Sequence, residues 1–522
     1  MQTLKAPLRV LWVALGLGWA SDLLFYGQSI GISVLLFVLV LLGSIYFLSR
    51  MEGIGLARRN LWLLEPLLFF SGMLFVRANS SLTFMNMTAV VLTLGLTLFF
   101  LAADRVERLG VLGYPVVLLH GLARSLANPV PPVVRVASTA GRHRERARAL
   151  APLLRGLLLA LPVLIVFSLL LSSADIFFAD YLRELLALRF AADAPEVMRH
   201  VAVVLTVAWL CAGAIYFSLG RRRDADDAGE LYALPGDYKP FRRVGFGESA
   251  TVLGLVCLLF GAFAWVQFAY LFSGHAERTM NYAAYREYVR QGFGELLLAS
   301  LLTMALIQGL RWAARLLTDR HVRIYNLLST ALVALTLVML VSAFWRMLVW
   351  ENIEFYINTP LRNYVRVFIV FLGLIFLWLL GTMWVKPERF AIGAFVGMLV
   401  FLMTVNIMNP DAEVAAYNLA HREDDLATRF LYVLSNDAVP VLADGLRGAE
   451  GLARVEILVD LQSRLNRLET ETGWRNWQAF HLSNWEAYTR LKDLQRAGVL
   501  CCDSYAVASL TSQSREYGMS AN

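Results

Sequence analysis

Apolar segments of about 20 residues recur along this chain, and they constrain its fold more than any other feature. One helix needs about 20 predominantly apolar residues to cross the hydrocarbon core of a bilayer. Backbone groups in that core must be hydrogen-bonded internally, which favours helices. The sequence therefore predicts an all-α, polytopic α-helical membrane protein with about 11 transmembrane helices and a small α-helical soluble C-terminal tail. The predicted spans are residues 8–27, 30–48, 60–78, 82–103, 155–178, 200–219, 249–272, 294–313, 327–350, 366–385 and 389–408.

The composition agrees with a chain embedded in a membrane. Hydrophobic residues make up 58% of the 522 residues and charged residues only 17%, and the mean hydropathy is +0.58. The formal net charge of +7 is explained by arginine-rich loops on the cytoplasmic side, so no nucleic-acid partner is predicted. The first apolar segment could be a cleaved signal peptide. It continues to Tyr26, however, and a second apolar segment follows at once, which favours a retained span.

Loops rich and poor in lysine and arginine alternate along the chain. A cytoplasmic N-terminus puts the rich loops inside, including residues 135–148 and 221–243, as the positive-inside rule requires. An odd number of spans then places the C-terminal tail outside. The segment Val111–Pro132 is apolar but broken by Gly113 and Pro115, so an interfacial or re-entrant piece is predicted there. A crossing at this segment would move the tail to the other side.

The spacing of the spans predicts five regions. The basic loop at 137–155 is interpreted as a positive-inside anchor, with contact to anionic lipid headgroups or nucleic acid as the less favoured alternative. The regions are 1–220, an N-terminal group of about six membrane spans with a basic cytoplasmic loop; 221–248, a cytoplasmic linker; 249–408, a C-terminal group of about five membrane spans; 409–500, an α-helical extracytoplasmic tail; and 501–522, predicted to be disordered.

The last predicted span ends where charge returns to the sequence. Asn409, Pro410 and Asp411 predict a helix start, because Asn can cap free N–H groups, Pro tolerates the first helical position and an acid suits the positive helix end. The tail then carries a leucine stripe and a later aromatic stripe at helical spacing, and both are predicted to be packing faces. The stripes comprise Leu458, Leu461, Leu465 and Leu468, and then Trp474, Trp477, Phe480, Trp485 and Tyr488.

Motifs that carry chemistry are weak in this sequence. The stretch 27–31 matches the G-x-S-x-G nucleophile elbow, but that motif needs a turn from strand to helix and here it lies between two predicted spans. We interpret it as a chance match. No lysine follows the glycines of a Walker loop, the seven histidines are scattered, and the four cysteines lack the spacing of zinc ligands. The sequence predicts no catalytic residue, no metal site and no cofactor.

Ten polar residues are candidate binding residues. Asp175 and Glu295 lie near span ends, where access to water weakens the argument for a proton or ion relay. Asn406 is interpreted mainly as a tie between helices. The stretches 280–295 and 350–366 precede spans and are predicted to be elbows, the first as an amphipathic interfacial helix. The candidates are Asp175, Tyr282, Tyr285, Arg290, Glu295, Arg362, Asn406, Asn409, Asp411 and Asn418.

Six motifs occur in order along the chain, and together they resemble a known family. They are SSADIFF at 172–178, NYAAYREYVRQGFGEL at 281–296, TPLRNY at 359–364, NIMNPDAEVAAYNL at 406–419, LSNDAVP at 434–440 and WQAFHLS at 477–483. The set resembles the bacterial multi-pass membrane family named domain of unknown function 4173 (DUF4173), which is related to DUF4153. The chain departs from that pattern at His481, where Asn is usual, and around Thr359. The resemblance implies an integral protein of a bacterial plasma (inner) membrane, and it implies no activity, substrate or cofactor.

Three hypotheses about function stay open at this point. The first is a non-enzymatic protein whose outside elbows and tail form an extracytoplasmic helical cap for sensing, signalling or assembly with another membrane protein. The second is a transporter or lipid-handling protein, with Asp175, Glu295 and Asn406 lining a path. The third is a membrane enzyme acting at the outer leaflet through Asp175 or Asp411 with His421. The lipid bilayer is the predicted partner in all three, and the sequence identifies no small-molecule ligand.

Overall fold

Long apolar helices carry most of the described chain. The computed structural model describes residues 7–101, 106–111, 113–127, 129, 196–219, 244–267, 293–315, 317–353, 358–420 and 431–500. Short 3-10 turns join several of the helices. The helices are α1 (Pro7–Phe25), α2 (Ser33–Glu52), α3 (Leu64–Val76), α4 (Ser80–Phe100), α5 (Gly113–Ala127), α6 (Glu196–Leu219), α7 (Phe246–Gln267), α8 (Phe293–Ala313), α9 (Asp319–Ile353), α10 (Pro360–Val385), α11 (Phe390–Met408), α12 (Pro410–Ala420), α13 (Val439–Gly445), α14 (Gly451–Thr470) and α15 (Leu482–Arg496).

The prediction of an all-α, multi-pass membrane protein is confirmed. Within the described ranges, ten helical segments are long and apolar enough to cross a membrane, comprising α1 to α4 and α6 to α11. Each corresponds to one predicted span. The remaining predicted span, 155–178, lies outside the described residues.

Helix α5 occupies the apolar segment for which an interfacial or re-entrant piece is predicted. It has 15 residues, so it is about 22 Å long, which is shorter than a hydrocarbon core of about 30 Å. It packs closely on α6, where the indole Nε1 of Trp209 donates to the carbonyl of Leu126 at 3.0 Å. A Cβ atom added to Gly213 would lie only 1.6 Å from the carbonyl oxygen of Ser125. The short length agrees with an interfacial or re-entrant helix, which stays a prediction.

Helix α11 connects two groups of packed helices. On one side its residues Phe395 and Leu402 share a hydrophobic core with Leu67 and Phe70 of α3 and with residues of α4. On the other side α11 packs along α10, and Phe390 joins the core formed by α7 to α10. The end of α11 is therefore held by both groups at the point where the chain leaves the membrane region.

The ends of the membrane helices gather on two faces. The 3-10 turn Arg58–Leu63 contacts the end of α4, since the Asn60 side chain donates to the carbonyl of Phe100 at 2.8 Å. The same face includes an isolated β-bridge between Val244, just before α7, and Ala314, just after α8. The opposite face includes the end of α1 and the start of α6, where Nδ1 of His200 lies 2.8 Å from both carboxylate oxygens of Asp22. The tail packs on this second face, called here the tail face.

The tail helices α12 to α15 surround a shared hydrophobic core, to which α12 contributes Val414 and Ala415. Leu461 and Leu465 of α14 pack against Ala487 and Leu491 of α15 and against α13. In the leucine stripe Leu468 is also buried and Leu458 is half-buried. The aromatic stripe divides, since Trp474 and Tyr488 pack together with ring centroids 5.3 Å apart, whereas Trp477 and Trp485 are exposed. Burial of these leucines explains why the tail forms a compact helical unit.

Candidate functional site

A buried polar junction joins the membrane helices to the tail. We define the junction as residues 77–79 before α4, residues 406–411 between α11 and α12, and residues 435–437 before α13. Asn409 sits at its centre with a left-handed backbone, φ 53° and ψ 75°. Asn adopts this conformation more readily than most residues. The reversal ends α11 and lets α12 begin at Pro410, and the Asn409 carbonyl accepts from the N–H of Glu413 at 3.0 Å.

Two buried asparagine side chains tie α4 to α11 below the junction. The amides of Asn86 and Asn406 bond reciprocally, each donating to the other's oxygen at 2.8 Å. Asn406 also donates to the carbonyl of Leu402 at 2.8 Å. Each polar atom therefore has a partner inside the apolar region, where an unpaired amide would be costly.

Arg77 caps the end of α11 from the neighbouring turn. Its Nε donates to the carbonyl of Asn406 at 2.8 Å and its Nη2 to that of Ile407 at 3.3 Å. The last carbonyls of a helix have no intrahelical partner, and the helix dipole favours a cation there. Arg77 thus fixes the turn between α3 and α4 against the exit of α11.

Asn79 connects three elements through one side chain. Its oxygen caps α4 by accepting from the N–H of Leu82 at 3.0 Å, and it also accepts from the hydroxyl of Tyr364 at 3.2 Å. Its amide nitrogen donates to both carboxylate oxygens of Asp411 at 3.0 Å. The start of α4 is thereby linked to α10 and to the first turn of α12.

Asp411 and Asp437 are buried carboxylates held by N–H and O–H donors. Oδ2 of Asp411 accepts from the backbone N–H of Ser435 at 2.8 Å. Oδ2 of Asp437 accepts from the N–H groups of Ala78 and Asn79 at 2.9 and 3.0 Å and from the Ser435 hydroxyl at 3.0 Å. Hydrogen bonds to a charged acceptor are about twice as strong as neutral ones. The two acids therefore form the strongest described link between tail and membrane helices.

A second polar cluster holds α12 against the start of α10. The side chain of Asn418 accepts from the N–H of Asn358 at 2.8 Å and donates to its carbonyl at 3.1 Å. The Asn358 amide donates to Asn363 at 3.2 Å, and Asn363 donates to Glu413 at 3.3 Å. The Asn418 side chain thus satisfies both backbone groups of Asn358, as a neighbouring β-strand would. These bonds fix the position of α12 relative to the start of α10.

Arg464 shapes the tail loop that presents Ser435 and Asp437. It is among the largest fully buried side chains of the described residues. Its Nη2 donates to the carbonyls of Leu431 and Leu434 at 2.9 and 2.8 Å, and its Nε donates to Asp460 at 2.7 Å. Burial raises the pKa of the Asp460 carboxyl, and the Arg464 guanidinium opposes that rise. The buried guanidinium thus holds the loop at residues 431–434 in place through its hydrogen bonds to two backbone carbonyls.

His481 anchors the start of α15 on the membrane helices. Its Nε2 lies 3.2 Å from the carbonyl of Arg77, so Nε2 carries the proton and donates. Its Nδ1 is buried with no partner among the described residues. Burial lowers the pKa of His481, while the nearby Asp437 carboxylate acts in the opposite direction. The imidazole is therefore held in its neutral form.

The structure brings some of the sequence-predicted candidates together and separates others. Asn406, Asn409 and Asp411 meet in the junction, and Asn418 lies in the second polar cluster next to it. Glu295 is exposed in the first turn of α8, and Arg362 is half-buried in the first turn of α10. The candidates Asp175, Tyr282, Tyr285 and Arg290, together with His421, lie outside the described residues.

The sequence did not identify several polar residues in and around the junction as candidates. They are Arg77, Asn79 and Asp437 in the junction, Asn86 below it and Arg464 in the tail. Two signals could have identified two of them: Asn79 directly precedes the serines that start α4, as a capping residue does, and Asn86 interrupts an apolar run. The described part of the chain holds no group of three or more His, Cys, Asp or Glu side chains that could bind a metal ion.

One comparison with known proteins bears on this region. A family model described as "Domain of unknown function (DUF4153)" matches residues 64–445. That range begins at α3 and ends with α13, so it includes every element of the junction. No curated protein and no solved structure matches the chain.

Proposed function

Since the chain belongs to the family described as Domain of unknown function (DUF4153), we propose a role for it from its own contacts. It acts as a non-enzymatic protein of a bacterial plasma (inner) membrane. Its tail forms an extracytoplasmic cap that couples events outside the membrane to the membrane helices, in sensing, signalling or assembly with another membrane protein.

The observation that carries this proposal is the sharing of two buried carboxylates between the tail and the membrane helices. Asp437 belongs to the tail loop, yet its acceptor atom is occupied by backbone N–H groups that precede α4. Asp411 bonds to Asn79 on one side and to Ser435 on the other. A displacement of the tail must therefore break charged hydrogen bonds to α4 or move that helix, which is the property a coupling device needs.

Two pairs of polar side chains in the membrane-spanning helices also favour this role over transport. Asn86 bonds Asn406, and the Ser342 hydroxyl donates to Gln267 at 3.0 Å. These side chains therefore satisfy one another across helix contacts, as expected for ties between helices.

The orientation of the cap is supported by the distribution of basic residues. Among described residues, the face opposite the tail carries more arginine and lysine at helix ends than the tail face does, and a cytoplasmic excess of these residues is the usual pattern. The tail-face residues are Arg77, Arg199, Arg362 and Arg366. Those of the opposite face are Arg9, Arg50, Arg58, Arg59, Arg108, Arg311, Arg315, Arg320, Arg323, Lys386 and Arg389.

Cysteine labelling in intact cells tests the orientation. In a variant with its four native cysteines replaced by serine, Arg496→Cys lies in the tail and Arg58→Cys on the opposite face, and both positions are exposed. We expect a membrane-impermeant maleimide to label Arg496→Cys in intact cells and Arg58→Cys only after permeabilisation. The reverse pattern would overturn the extracytoplasmic cap.

The coupling role is tested by junction variants in cells. We expect Asp411→Asn to insert into the membrane at normal levels and to fail to complement a deletion strain, because the tail no longer moves with α4. An exposed substitution in the same tail, Arg496→Ala, is the matched control and should complement fully. Full complementation by Asp411→Asn, with its tail shown to be undocked by proteolysis, would contradict the coupling role.

A further inference from the structure

An exposed apolar patch lies where the tail meets the turn between α1 and α2. We define it as Ile30, Trp477, Leu482 and Trp485, which are 45%, 56%, 37% and 51% exposed. Trp477 precedes α15, and Leu482 and Trp485 lie one turn apart on the exposed side of that helix. Two exposed tryptophans in one patch are unusual for a surface that faces only water.

The patch is fixed at the edge of the membrane region by contacts with the turn. The Asn476 side chain donates to that of Gln28 at 2.8 Å, and the N–H of Ile32 donates to the carbonyl of Phe480 at 3.1 Å. Gly31 allows this approach, since a Cβ atom there would lie 2.6 Å from the carbonyl carbon of Ala479. The turn joins two membrane-spanning helices, so its height marks the membrane boundary.

The patch continues the outward surface of α1. Trp19 and Leu23 lie one turn apart on that helix and are exposed. As α1 spans the membrane, this surface faces lipid tails, and Ile30 extends it to the boundary. Trp side chains are enriched at that level because the ring is apolar while its N–H can reach water or headgroups.

We propose that this patch is a lipid-binding surface: Trp477, Leu482 and Trp485 insert into the headgroup region of the leaflet on the tail face. The tail is then held to the bilayer at two places, by the junction and by this patch. The inference goes beyond the proposed function, because it holds on whichever side of the membrane the tail lies.

Site-specific fluorescence in lipid nanodiscs tests the proposal. Trp485→Cys and Leu482→Cys, each in the full chain without native cysteines, are labelled with an environment-sensitive nitrobenzoxadiazole probe. The discs contain phosphatidylethanolamine and phosphatidylglycerol, with or without lipids that carry a nitroxide near the carbonyl end of the acyl chain. Arg496→Cys is the control, because it lies at the other end of α15 with an 80% exposed side chain. Each variant must elute like the wild type before labelling.

Both patch labels should emit at shorter wavelength than the control, lose emission with nitroxide lipids and resist quenching by aqueous iodide. The control label should behave in the opposite way. Iodide quenching of both patch labels to the level of the control would overturn the proposal. Protection of both labels from iodide and from nitroxide lipids would also overturn it, because the patch would then be covered by protein, either a second copy or another chain. Two labelled positions keep the test valid if one variant fails to fold.

Discussion

Asp411 and Asp437 differ in how many of their oxygen atoms accept hydrogen bonds. Both oxygens of Asp411 face donors, from Asn79 and Ser435, whereas the described donors reach only Oδ2 of Asp437. An amide at 411 must turn its NH₂ group toward one of those donors. An amide at 437 can place its oxygen where Oδ2 was. Replacement by asparagine should therefore be tolerated better at Asp437 than at Asp411.

We predict that Asp411→Asn weakens tail docking by about 2–3 kcal/mol and Asp437→Asn by about 1 kcal/mol, since the first leaves a buried donor unpaired and the second only removes charge. The measurement is the apparent unfolding temperature in nanodiscs, together with the rate at which trypsin releases the tail. Equal effects of the two substitutions would contradict the described geometry of these carboxylates.

His481 predicts a pH dependence of tail docking. Its pKa is lowered from the ordinary value of 6.5 by burial, so the unfolded chain takes up a proton at higher pH than the folded protein does. The contribution of neutral His481 to the free energy of unfolding is therefore complete above about pH 6.5, and it is lost as the pH falls toward the lowered pKa. We expect a lower apparent unfolding temperature at about pH 5 than at about pH 8.

His481→Gln isolates this contribution. The amide nitrogen of Gln can occupy the position of Nε2 and donate to the Arg77 carbonyl, and it does not titrate, so the difference between the unfolding temperatures at the two pH values should shrink. Asp460, whose pKa is raised by burial, is present in both proteins, so its contribution to the pH dependence is common to them. An unchanged pH profile in the variant would show that His481 is not the group responsible.

At the scale of elements, the contact of α5 with α6 depends on one glycine. Gly213 brings the two backbones so close that a methyl group has no space beside the Ser125 carbonyl. We predict that Gly213→Ala destabilises the protein by about 1–3 kcal/mol through overpacking, and that it breaks the bond from Trp209 to Leu126.

Gly43→Ala in α2 is the matched control. Among the described residues nothing lies within 4 Å of the position that a Cβ atom would take there, and alanine favours helix over glycine by about 1 kcal/mol. We expect its apparent unfolding temperature to equal or exceed that of the wild type. Equal stability of the two variants would mean that α5 can move away from α6 without cost.

At the scale of the whole molecule, the membrane helices could be predicted from sequence and the junction could not. A span is recognised from about 20 consecutive residues, and α11 with its Asn-Pro-Asp exit is local in this sense. Asn79 and Asp411, by contrast, are 332 residues apart. Each alone indicates a helix start, and only the fold brings them into contact.

Arg464 and the aromatic residues of the tail also show that contacts between distant parts of the chain could not be predicted from the sequence. Arg464 has the pattern of a solvated helix charge and is in fact buried among backbone carbonyls of another loop. The aromatic stripe predicts one packing face, yet Trp477 and Trp485 remain exposed, whereas Phe480 contacts the turn at Gly31. Both outcomes depend on docking between distant parts of the chain.

The molecule therefore consists of a helical membrane part and a tail with its own core, and substitutions should fall into two classes. Arg464→Ala leaves Asp460 buried and unpaired, which costs about 3–5 kcal/mol, and it removes the donors that close the 431–436 loop. We expect trypsin to degrade the tail of this variant completely. Asp411→Asn removes docking bonds to Asn79 and leaves the buried leucines of α14 and α15 in place, so trypsin should release a stable tail fragment. Arg496→Ala is the control for a lost arginine, because its partner Asp493 is exposed and the change should stay within about 0.5 kcal/mol. A stable tail fragment from Arg464→Ala would show that the tail core does not depend on the buried guanidinium.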